Sequence, residues 1–275
     1  MKPLVETNWL FDNLDKVRIF DATWHLPNSK RNAEDEFKKG HIKGSLFFDI
    51  DKHSNKNSKL PHMMPDKEQW ENIISNFGVK KSDHIIIYDN SDLYSSCRLW
   101  FSFIYFGHNV NQVSVLNGGL KKWKIEKKKI TSEINYFDKT NYTSLENKEL
   151  ILNRKDIDNN IKEKKFGLID ARSKARFEGQ VPEPRPGLKT GSIPNSKNLP
   201  YGECINKNDN TFKDVEELKA IFKNLNLNDK IAFTCGSGMT ACVLGLANSL
   251  INGTNPIIYD ESWSGYGLIN NDNKK

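Results

Sequence analysis

Short apolar runs and helix-like periodicities occur twice along this chain, and the second set follows the first by about 150 residues. The runs at 17–20 and 167–169 each end in the dipeptide Asp-Ala, which is typical of a buried strand followed by a turn. In the segments 40–50 and 191–201 a glycine turn then leads into a second short strand. The constant offset predicts an internal repeat.

Helical periodicity follows each pair of strands and leads into a third apolar run. A polar loop and a second helical stretch come next, and Gly107 or Gly253 stands where that helix would need a C-terminal cap. Strands that alternate with helices are typical of parallel sheets. The sequence therefore predicts an α/β fold of two tandem domains, each a parallel sheet flanked by helices. The periodic segments and the apolar runs that follow them are 68–79 with 84–88, and 215–227 with 231–234.

Between the two halves, residues 131–148 are polar, rich in Asn, Ser, Thr and Glu, and only weakly periodic. We expect this stretch to be a linker between a domain at 1–130 and a domain at 149–275. A chain of 275 residues has room for two cores, since domains cluster near ~100–150 residues.

Composition and charge exclude several classes of protein. No apolar run approaches the ~20 residues of a membrane span, and the amino terminus lacks the apolar core of a secretory signal. The formal charge is +6, but the positive residues are mostly lysines dispersed among Asn, Asp and Glu, with no basic stripe interleaved with aromatic residues. We therefore expect a cytoplasmic protein that binds neither membrane nor nucleic acid.

The four cysteines show no CxxC spacing, which predicts reduced thiols rather than a metal site or a disulfide framework. Cys97 and Cys242 lie in helical stretches among apolar neighbours and are interpreted as small buried residues. Cys204 follows a turn and is interpreted as structural or incidental. Cys235 differs from these, because it begins the loop CGSGMT, residues 235–240, between a strand and a helix.

The loop at Cys235 has the construction of an anion site. Gly236 and Gly238 permit tight curvature, and such a loop aims backbone N–H groups and the positive end of the next helix at one point. We expect these groups to hold the sulfur of Cys235 as a thiolate at neutral pH. The sequence thus predicts that Cys235 is a reactive nucleophile.

Arginine is scarce in this chain, and three of the seven arginines, Arg172, Arg176 and Arg185, fall within fourteen residues. Guanidinium groups are favoured where a carboxylate or another oxyanion must be held in a fixed orientation. Arg172 follows the strand-ending Asp170, so we expect it to form a structural ion pair with a neighbouring carboxylate.

Four motifs, in a consistent order, resemble those of the tandem-domain rhodanese family, and within it the 3-mercaptopyruvate sulfurtransferases. The loop CGSGMTA resembles the active-site loop of these enzymes, which is usually CGSGVTA. The arginine-bearing stretch at 170–191, the first-domain motif at 47–65 and the closing signature at 258–266 are similar as well. The resemblance covers nearly the whole chain. It implies two rhodanese-like domains, of which the first is non-catalytic because Asp89 occupies the place that corresponds to Cys235.

The resemblance implies a sulfurtransferase activity. The Cys235 thiolate would take sulfur from 3-mercaptopyruvate, release pyruvate and hold a persulfide, which cyanide or a thiol such as thioredoxin then discharges. No metal or organic cofactor is implied. Arg176 and Arg185 match the two arginines that bind the substrate's carboxylate and ketone, and their scarcity and proline-containing setting favour that role. The residues expected to contact the substrate are Arg176, Arg185, Gly236, Gly238, Met239 and Thr240.

The resemblance also implies a Ser/His/Asp relay, in which Asp51, His62 and Ser237 act beside the cysteine as catalytic residues. A histidine can move a proton at neutral pH when a carboxylate holds its tautomer. Two positions depart from the family pattern: Met239 stands where Val is usual, and Ser192 stands where a histidine is usual. Neither change removes a group that sulfur transfer needs.

Three alternative functions follow from the same residues. A thiosulfate sulfurtransferase uses the same cysteine but typically has the loop CRKGVT, whose cations suit a dianion, whereas Gly236 and Ser237 are neutral. A phosphatase of related fold needs an arginine six residues after the cysteine, where this chain has Ala241. A non-enzymatic persulfide carrier would need the same residues as the enzyme, so the sequence does not separate the two.

Overall fold

Parallel β-sheets form the centre of both halves of the chain in this computed structural model, which describes residues 2–225 and 230–269. The chain divides into two units, each built from three segments. This division does not test the predicted domain limits or the predicted linker, which remain predictions. The first unit contains Met1–Asn57, Met64–Lys148 and Ile205–Lys213, and the second contains Ser58–Met63, Glu149–Cys204 and Asp214–Lys275.

In the first unit, the described residues form a five-stranded parallel sheet in the order β1-β5-β4-β2-β3. The central strand β4 is buried at every position, as expected for a strand inside a parallel sheet. The strands are β1 (Leu4–Val5), β2 (Arg18–Asp21), β3 (Ser45–Phe47), β4 (Ile85–Tyr88) and β5 (Val113–Leu116). The helices are α1 (Thr7–Phe11), α2 (Ala33–Lys39), α3 (Ile50–His53), α4 (Lys67–Asn76), α5 (Ser96–Tyr105) and α6 (Gly119–Ile125).

The described part of the second unit has the same arrangement, with five parallel strands in the order β6-β10-β9-β7-β8. Its central strand, β9, is the counterpart of β4 in the first sheet. The strands are β6 (Ile151–Leu152), β7 (Gly167–Asp170), β8 (Lys197–Asn198), β9 (Ile231–Thr234) and β10 (Ile257–Tyr259). The helices are α7 (Arg154–Glu163), α8 (Lys174–Phe177), α9 (Val215–Lys223), α10 (Ala241–Asn252) and α11 (Ser262–Tyr266).

The predicted strands at 17–20, 84–88, 167–169 and 231–234 are confirmed to within one residue at either end. In the two glycine-led segments the strands β3 and β8 are only three and two residues long. Two matching sheets confirm the predicted fold class, in which parallel strands alternate with helices.

The predicted helices are confirmed with shorter bounds. The helix expected at 68–79 ends at Asn76, because Gly78 has a φ of +67° that a continuing helix does not allow. The helix expected at 215–227 spans Val215–Lys223, and residues 226 and 227 lie outside the described residues. Gly253 caps α10 with a φ of +69°, and Gly107 follows the end of α5 with the same φ, so both predicted C-terminal caps are confirmed.

Each unit has its own apolar core. In the first unit the core includes Ile86 and Tyr88 of β4 with Trp123 of α6, and in the second it includes Ala232 of β9 with Tyr259 and Trp263. The strands that deliver the loops at residues 89 and 235 are therefore fixed by packing on both faces of a sheet. Residues 132–147 carry no helix or strand, although Thr131 forms an isolated antiparallel bridge with His41.

Candidate active site

Cys235 directly follows β9 and begins a six-residue loop that ends where α10 starts at Ala241. Gly238 has a φ of +75°, in the left-handed region where a glycine is unstrained, so the loop can turn within these few residues. Cys235 itself is buried, with 1% of its surface exposed. The other cysteines are fully buried, and Cys242 donates a hydrogen bond from its Sγ to the carbonyl oxygen of Gly238 over 3.2 Å. This confirms the interpretation of Cys97 and Cys242 as buried residues.

Four backbone N–H groups of the loop have no acceptor among the described residues: those of Gly236, Ser237, Met239 and Thr240. A buried backbone N–H group without a partner costs free energy. More than nine in ten buried N–H groups in folded proteins are paired. An anion bound beside Cys235 would supply the missing acceptor. The local structure is therefore that of an anion cradle around the cysteine.

The corresponding loop of the first unit shows what such amides do when an anion is built into the chain. Asp89 follows β4, and its carboxylate accepts hydrogen bonds from the N–H groups of Ser91 (2.9 Å) and Ser96 (2.8 Å). Burial raises the pKa of Asp89 despite these bonds. At this sheet position the first unit holds a carboxylate on its amides, whereas the second unit holds a thiol and leaves amides open.

His62 lies against the loop. Its Nδ1 is 2.9 Å from the Oγ of Ser237, and both residues are buried. The segment Ser58–Met63, which carries His62, belongs to the second unit although it comes from the first half of the sequence. His62 has a φ of +61°, a strained conformation for a residue with a side chain, which is held by its surroundings. The structure thus brings together two of the three residues of the relay.

Asp51, the third residue of the predicted relay, lies in α3 of the first unit. Its Oδ2 accepts a hydrogen bond from the indole Nε1 of Trp24 over 2.7 Å. This bond fixes the orientation of the Asp51 carboxylate. Its participation in the relay stays a prediction.

Arg172 forms the ion pair that the sequence predicts. Its Nη2 is 2.7 Å from Oδ2 of Asp170, and its Nη1 is 2.8 Å from Oε1 of Glu183, with all three side chains at most 2% exposed. Burial opposes the charge, but the two carboxylates outweigh it, and the pKa of Arg172 is raised. The guanidinium also lies 4.5 Å from the centre of the Trp263 ring. Arg172 is therefore structural, as expected.

Arg176 shares Glu183 with Arg172, a connection that the sequence did not predict. The Nη2 of Arg176 is 2.5 Å from Oε2 of Glu183, and its side chain is 25% exposed. The same Nη2 lies 3.0 Å from the point where a Cβ on residue 236 would stand, so the guanidinium contacts the loop at Gly236. The Nη1 of Arg176 makes no hydrogen bond to any described residue. A buried carboxylate thus holds Arg176 beside the loop with one nitrogen still available.

The remaining predicted substrate contacts lie in two places. Arg185 is half-buried in the irregular segment between α8 and β8, and its contact with substrate stays a prediction. Met239 and Thr240 are buried at the end of the loop. Ser192, which replaces the usual histidine, lies in the irregular segment before β8.

Three further residues, Ser262, Trp263 and Ser264, contact the loop from the turn between β10 and α11. They were not among the site residues predicted from the sequence. Ser262 Oγ accepts hydrogen bonds from the N–H groups of Cys235 and Gly238 over 3.1 and 3.0 Å. The N–H of Trp263 donates to the carbonyl of Cys235, and Ser264 donates to the carbonyl of Gly236 from both its N–H and its Oγ. The only signal for these contacts in the sequence is the closing signature at 258–266.

Other kinds of site are not found among residues 2–225 and 230–269. No cluster of three or more His, Cys, Asp or Glu side chains there has an arrangement that could hold a metal ion. No helix in this part of the chain combines the length and apolar character needed to cross a bilayer. A cavity of about 690 Å³ lies in the first unit, against β3, α3 and α4, and none of the predicted site residues lines it.

Comparison with known proteins gives consistent matches over most of the chain. The family model described as a rhodanese-like domain matches twice, at residues 6–126 and 153–268. The chain is 35% identical to 3-mercaptopyruvate sulfurtransferase of Mus musculus, over 95% of this chain and 91% of that protein. It is 34% identical to thiosulfate sulfurtransferase of Mus musculus, over 96% of this chain and 91% of that protein. Its fold is similar to the crystal structure of the 3-mercaptopyruvate sulfotransferase SseA from Escherichia coli, with a TM-score of 0.86 and 33% identity over 96% of this chain and 99% of that chain.

Proposed function

This chain belongs to the rhodanese-like domain family, and from that premise we propose that it transfers sulfur from 3-mercaptopyruvate, through a persulfide on Cys235, to a thiol or cyanide acceptor. Pyruvate is the other product. The chain is an enzyme of the sulfurtransferase class, as its similarity to 3-mercaptopyruvate sulfurtransferases over nearly its whole length shows.

The observation that carries this proposal is the set of amides at Cys235 without an acceptor. A thiolate, and then the terminal sulfur of a persulfide, provides the anion that Gly236, Ser237, Met239 and Thr240 lack. The loop of the first unit offers the internal comparison, since Asp89 satisfies amides there and leaves no place for a sulfur anion.

The reaction proceeds in two steps, sulfur uptake by Cys235 and sulfur transfer to the acceptor. The Cys235 thiolate attacks the sulfur of 3-mercaptopyruvate, an S–S bond forms, and the C–S bond breaks with its electron pair passing to the carbon next to the ketone. Protonation of that enolate gives pyruvate. In the second step an acceptor thiolate, or cyanide, attacks the outer sulfur, and the S–S bond breaks to return the Cys235 thiolate.

Arg176 is positioned to bind the anionic end of the substrate. Its Nη2 is held by the buried Glu183 and lies against Gly236, while its Nη1 remains available to a carboxylate oxygen. A guanidinium also stabilises negative charge on the ketone oxygen as the enolate forms. Arg185 serves as the second arginine in this proposal, by its place in the family motif.

His62 and Ser237 provide the means of moving a proton near the reacting carbon. With Nδ1 and Oγ 2.9 Å apart, Ser237 can hold the imidazole in one orientation or pass a proton through it. Asp51, which is oriented by Trp24, is the proposed third member of this relay.

The acceptor and the compartment complete the proposal. We propose a small dithiol protein such as thioredoxin as the acceptor. Its first thiol takes the outer sulfur as a persulfide, and its second thiolate then attacks the inner sulfur, so that a disulfide forms and hydrosulfide leaves. We propose a cytoplasmic location, because reduced thiols are maintained there and none of the four cysteines forms a disulfide in the described chain.

Mass spectrometry after treatment with 3-mercaptopyruvate tests the assignment of Cys235. We expect one added sulfur on the peptide that contains Cys235, together with multiple-turnover release of pyruvate when a thiol acceptor is present. Cys235→Ser should abolish both. Cys242→Ser is the matched control, since a serine hydroxyl can still donate to the Gly238 carbonyl, and it should keep most of the activity. Loss of turnover in the control with retention in Cys235→Ser would refute the assignment.

Thiosulfate is the second candidate donor, which the 34% identity to a thiosulfate sulfurtransferase supports. A comparison of kcat/KM for the two donors decides between them. We expect a preference for 3-mercaptopyruvate, since Gly236 and Ser237 add no cation to the loop for a dianion. Single-turnover sulfur uptake without pyruvate turnover would instead indicate a persulfide carrier.

A further inference from the structure

The hydroxyl group of Ser262 makes every hydrogen bond of which it is capable. Its Oγ accepts from the N–H of Cys235 (3.1 Å) and from the N–H of Gly238 (3.0 Å), and it donates to the carbonyl oxygen of Tyr259 (2.8 Å). A serine hydroxyl has one donor and two acceptor positions, and all three are used. Ser262 is also fully buried. This hydroxyl therefore has no capacity left to bind a substrate or a sulfur anion.

Ser262 is held in an uncommon backbone conformation at the point where β10 gives way to α11. Its φ is +50°, in the left-handed region that favours glycine. Strained residues of this kind persist where the surrounding structure fixes them, and they are frequent at functional sites. The cost in stability is offset by a set of contacts directed at the loop.

Three consecutive residues supply these contacts. Ser262 contributes two hydrogen bonds through its side chain, Trp263 one through its N–H to the Cys235 carbonyl, and Ser264 two to the Gly236 carbonyl, at 2.8 Å from N–H and 2.6 Å from Oγ. They fix the loop at residues 235, 236 and 238. The Ser262 hydroxyl is the single group that joins both ends of this stretch.

The division of the loop amides gives Ser262 its role. The N–H groups of Cys235 and Gly238 are bonded to Ser262, whereas those of Gly236, Ser237, Met239 and Thr240 have no acceptor in the described chain. Because the loop has only six residues, a change in the orientation of the Cys235 and Gly238 N–H groups also changes the orientation of the other four. We propose that Ser262 is a positioning residue for sulfur transfer, which holds the loop so that its remaining amides serve the Cys235 sulfur. This inference rests on the proposed function.

Two substitutions at position 262 separate positioning from a purely structural role. Ser262→Ala removes the hydroxyl and keeps the strained φ, whereas Ser262→Gly removes the hydroxyl and relieves the strain. If Ser262 only supported the backbone conformation, glycine at this position would restore most of the kcat. The matched control is Ser249→Ala in α10, because Ser249 is also buried in the second unit and its hydroxyl lies within hydrogen-bond distance of two carbonyl oxygens, of Gly245 (3.0 Å) and Thr254 (2.7 Å), away from the loop.

Steady-state kinetics with 3-mercaptopyruvate and a thiol acceptor provide the first measurement. We expect kcat to fall about tenfold or more in both Ser262 variants, a factor that corresponds to about 1.4 kcal/mol, with KM changed less than about twofold. Ser249→Ala should keep kcat within about twofold. A Ser262→Gly protein that retains the kcat of the unaltered chain would overturn the proposal, as would an equal fall in Ser249→Ala.

Amide hydrogen exchange, followed by NMR, provides a second measurement that does not depend on any sulfur donor. Exchange at the N–H groups of Cys235 and Gly238 should become at least tenfold faster in both Ser262 variants, and exchange inside α10 should not change. Undiminished protection of these two amides would overturn the proposal even if activity fell. If the unaltered protein releases no pyruvate, the proposed function fails, and the exchange data still decide whether Ser262 fixes the loop.

Discussion

Replacement of Glu183 by glutamine tests whether the buried charge network beside the loop holds Arg176 in place. Glu183 is 2% exposed and accepts hydrogen bonds from both Arg172 and Arg176. In Glu183→Gln one oxygen can still accept from Arg172. The amide nitrogen would then face the Nη2 of Arg176, now 2.5 Å from Oε2, and two donors at that distance must separate. Arg176 therefore loses its short bond to Oε2 and keeps at most the 3.3 Å bond from its Nε to Oε1, whereas Arg172 keeps Asp170.

The expected loss of stability follows from the exposure of each partner. Removing one member of a buried ion pair costs about 3–5 kcal/mol when the remaining charge is left without compensation. Here Arg172 retains its bonds to Asp170, and Arg176 is 25% exposed and can turn toward water. We therefore expect the free energy of unfolding to fall by about 2–3 kcal/mol, at or below the lower end of that range. The KM for 3-mercaptopyruvate should also rise, because Arg176 is no longer held against Gly236.

Urea unfolding followed by circular dichroism measures the first effect, and steady-state kinetics the second. Glu178→Gln is the matched control, since Glu178 lies in the same segment but its contacts are exposed: an ion pair with Lys174, whose side chain is 76% exposed, and a hydrogen bond from the side chain of Gln180. Exposed pairs of this kind contribute about 0–1 kcal/mol, so the control should lose at most that amount. If Glu183→Gln were no less stable than Glu178→Gln and had an unchanged KM, the network would not hold Arg176.

Two further substitutions test the first unit and the loop. Burial raises the pKa of Asp21 to about 7, whereas an unfolded aspartate ionises near ~3.9, so ionisation of this group lowers stability as pH rises from about 4 to about 7. The Tm of Asp21→Asn relative to the unaltered protein should rise across that interval and level off above it, and parallel Tm profiles would contradict this. In Gly236→Ala the new Cβ would lie 3.0 Å from the Nη2 of Arg176, so the guanidinium must move. We expect the KM for 3-mercaptopyruvate to rise about threefold or more with a loss of stability below about 1 kcal/mol, and an unchanged KM would show that Arg176 does not bind the donor.

The fold could be predicted because its central strands are almost entirely apolar. Ile85–Tyr88 reads IIIY, and Ile231–Thr234 reads IAFT with only its last residue polar, as is typical of strands in the middle of a parallel sheet. The edge strands β1 and β6 are two residues long, and so short a segment has no periodicity to detect. They form because the neighbouring strands β5 and β10 offer open hydrogen-bonding edges, which is a property of the folded sheet.

The chemistry of the loop could be predicted from local residues, but its supports could not. Cys235, its glycines and the adjoining strand and helix are contiguous in sequence, so the anion site follows from their order. Ser262 reaches the same loop from 27 residues further along the chain, and a buried serine hydroxyl has no sequence pattern of its own. Similarly, Arg172 was expected to pair with a carboxylate near it, but Glu183, which also holds Arg176, lies eleven positions after Arg172, beyond the short helix α8.

Both sheets place a buried aspartate at the end of the corresponding strand, but the two aspartates have different partners. Asp21 ends β2 and accepts from the N–H and hydroxyl of Thr23, and burial raises its pKa to about 7. Asp170 ends β7 and instead forms an ion pair with Arg172. The guanidinium of Arg172 in turn lies over the ring of Trp263. The backbone N–H of Trp263 donates a hydrogen bond to the carbonyl oxygen of Cys235. The arginine at that strand end therefore does more than neutralise a carboxylate. It links the charge network of Glu183 and Arg176 to the turn that holds the loop, and the first unit, which lacks this arginine, also lacks the cysteine.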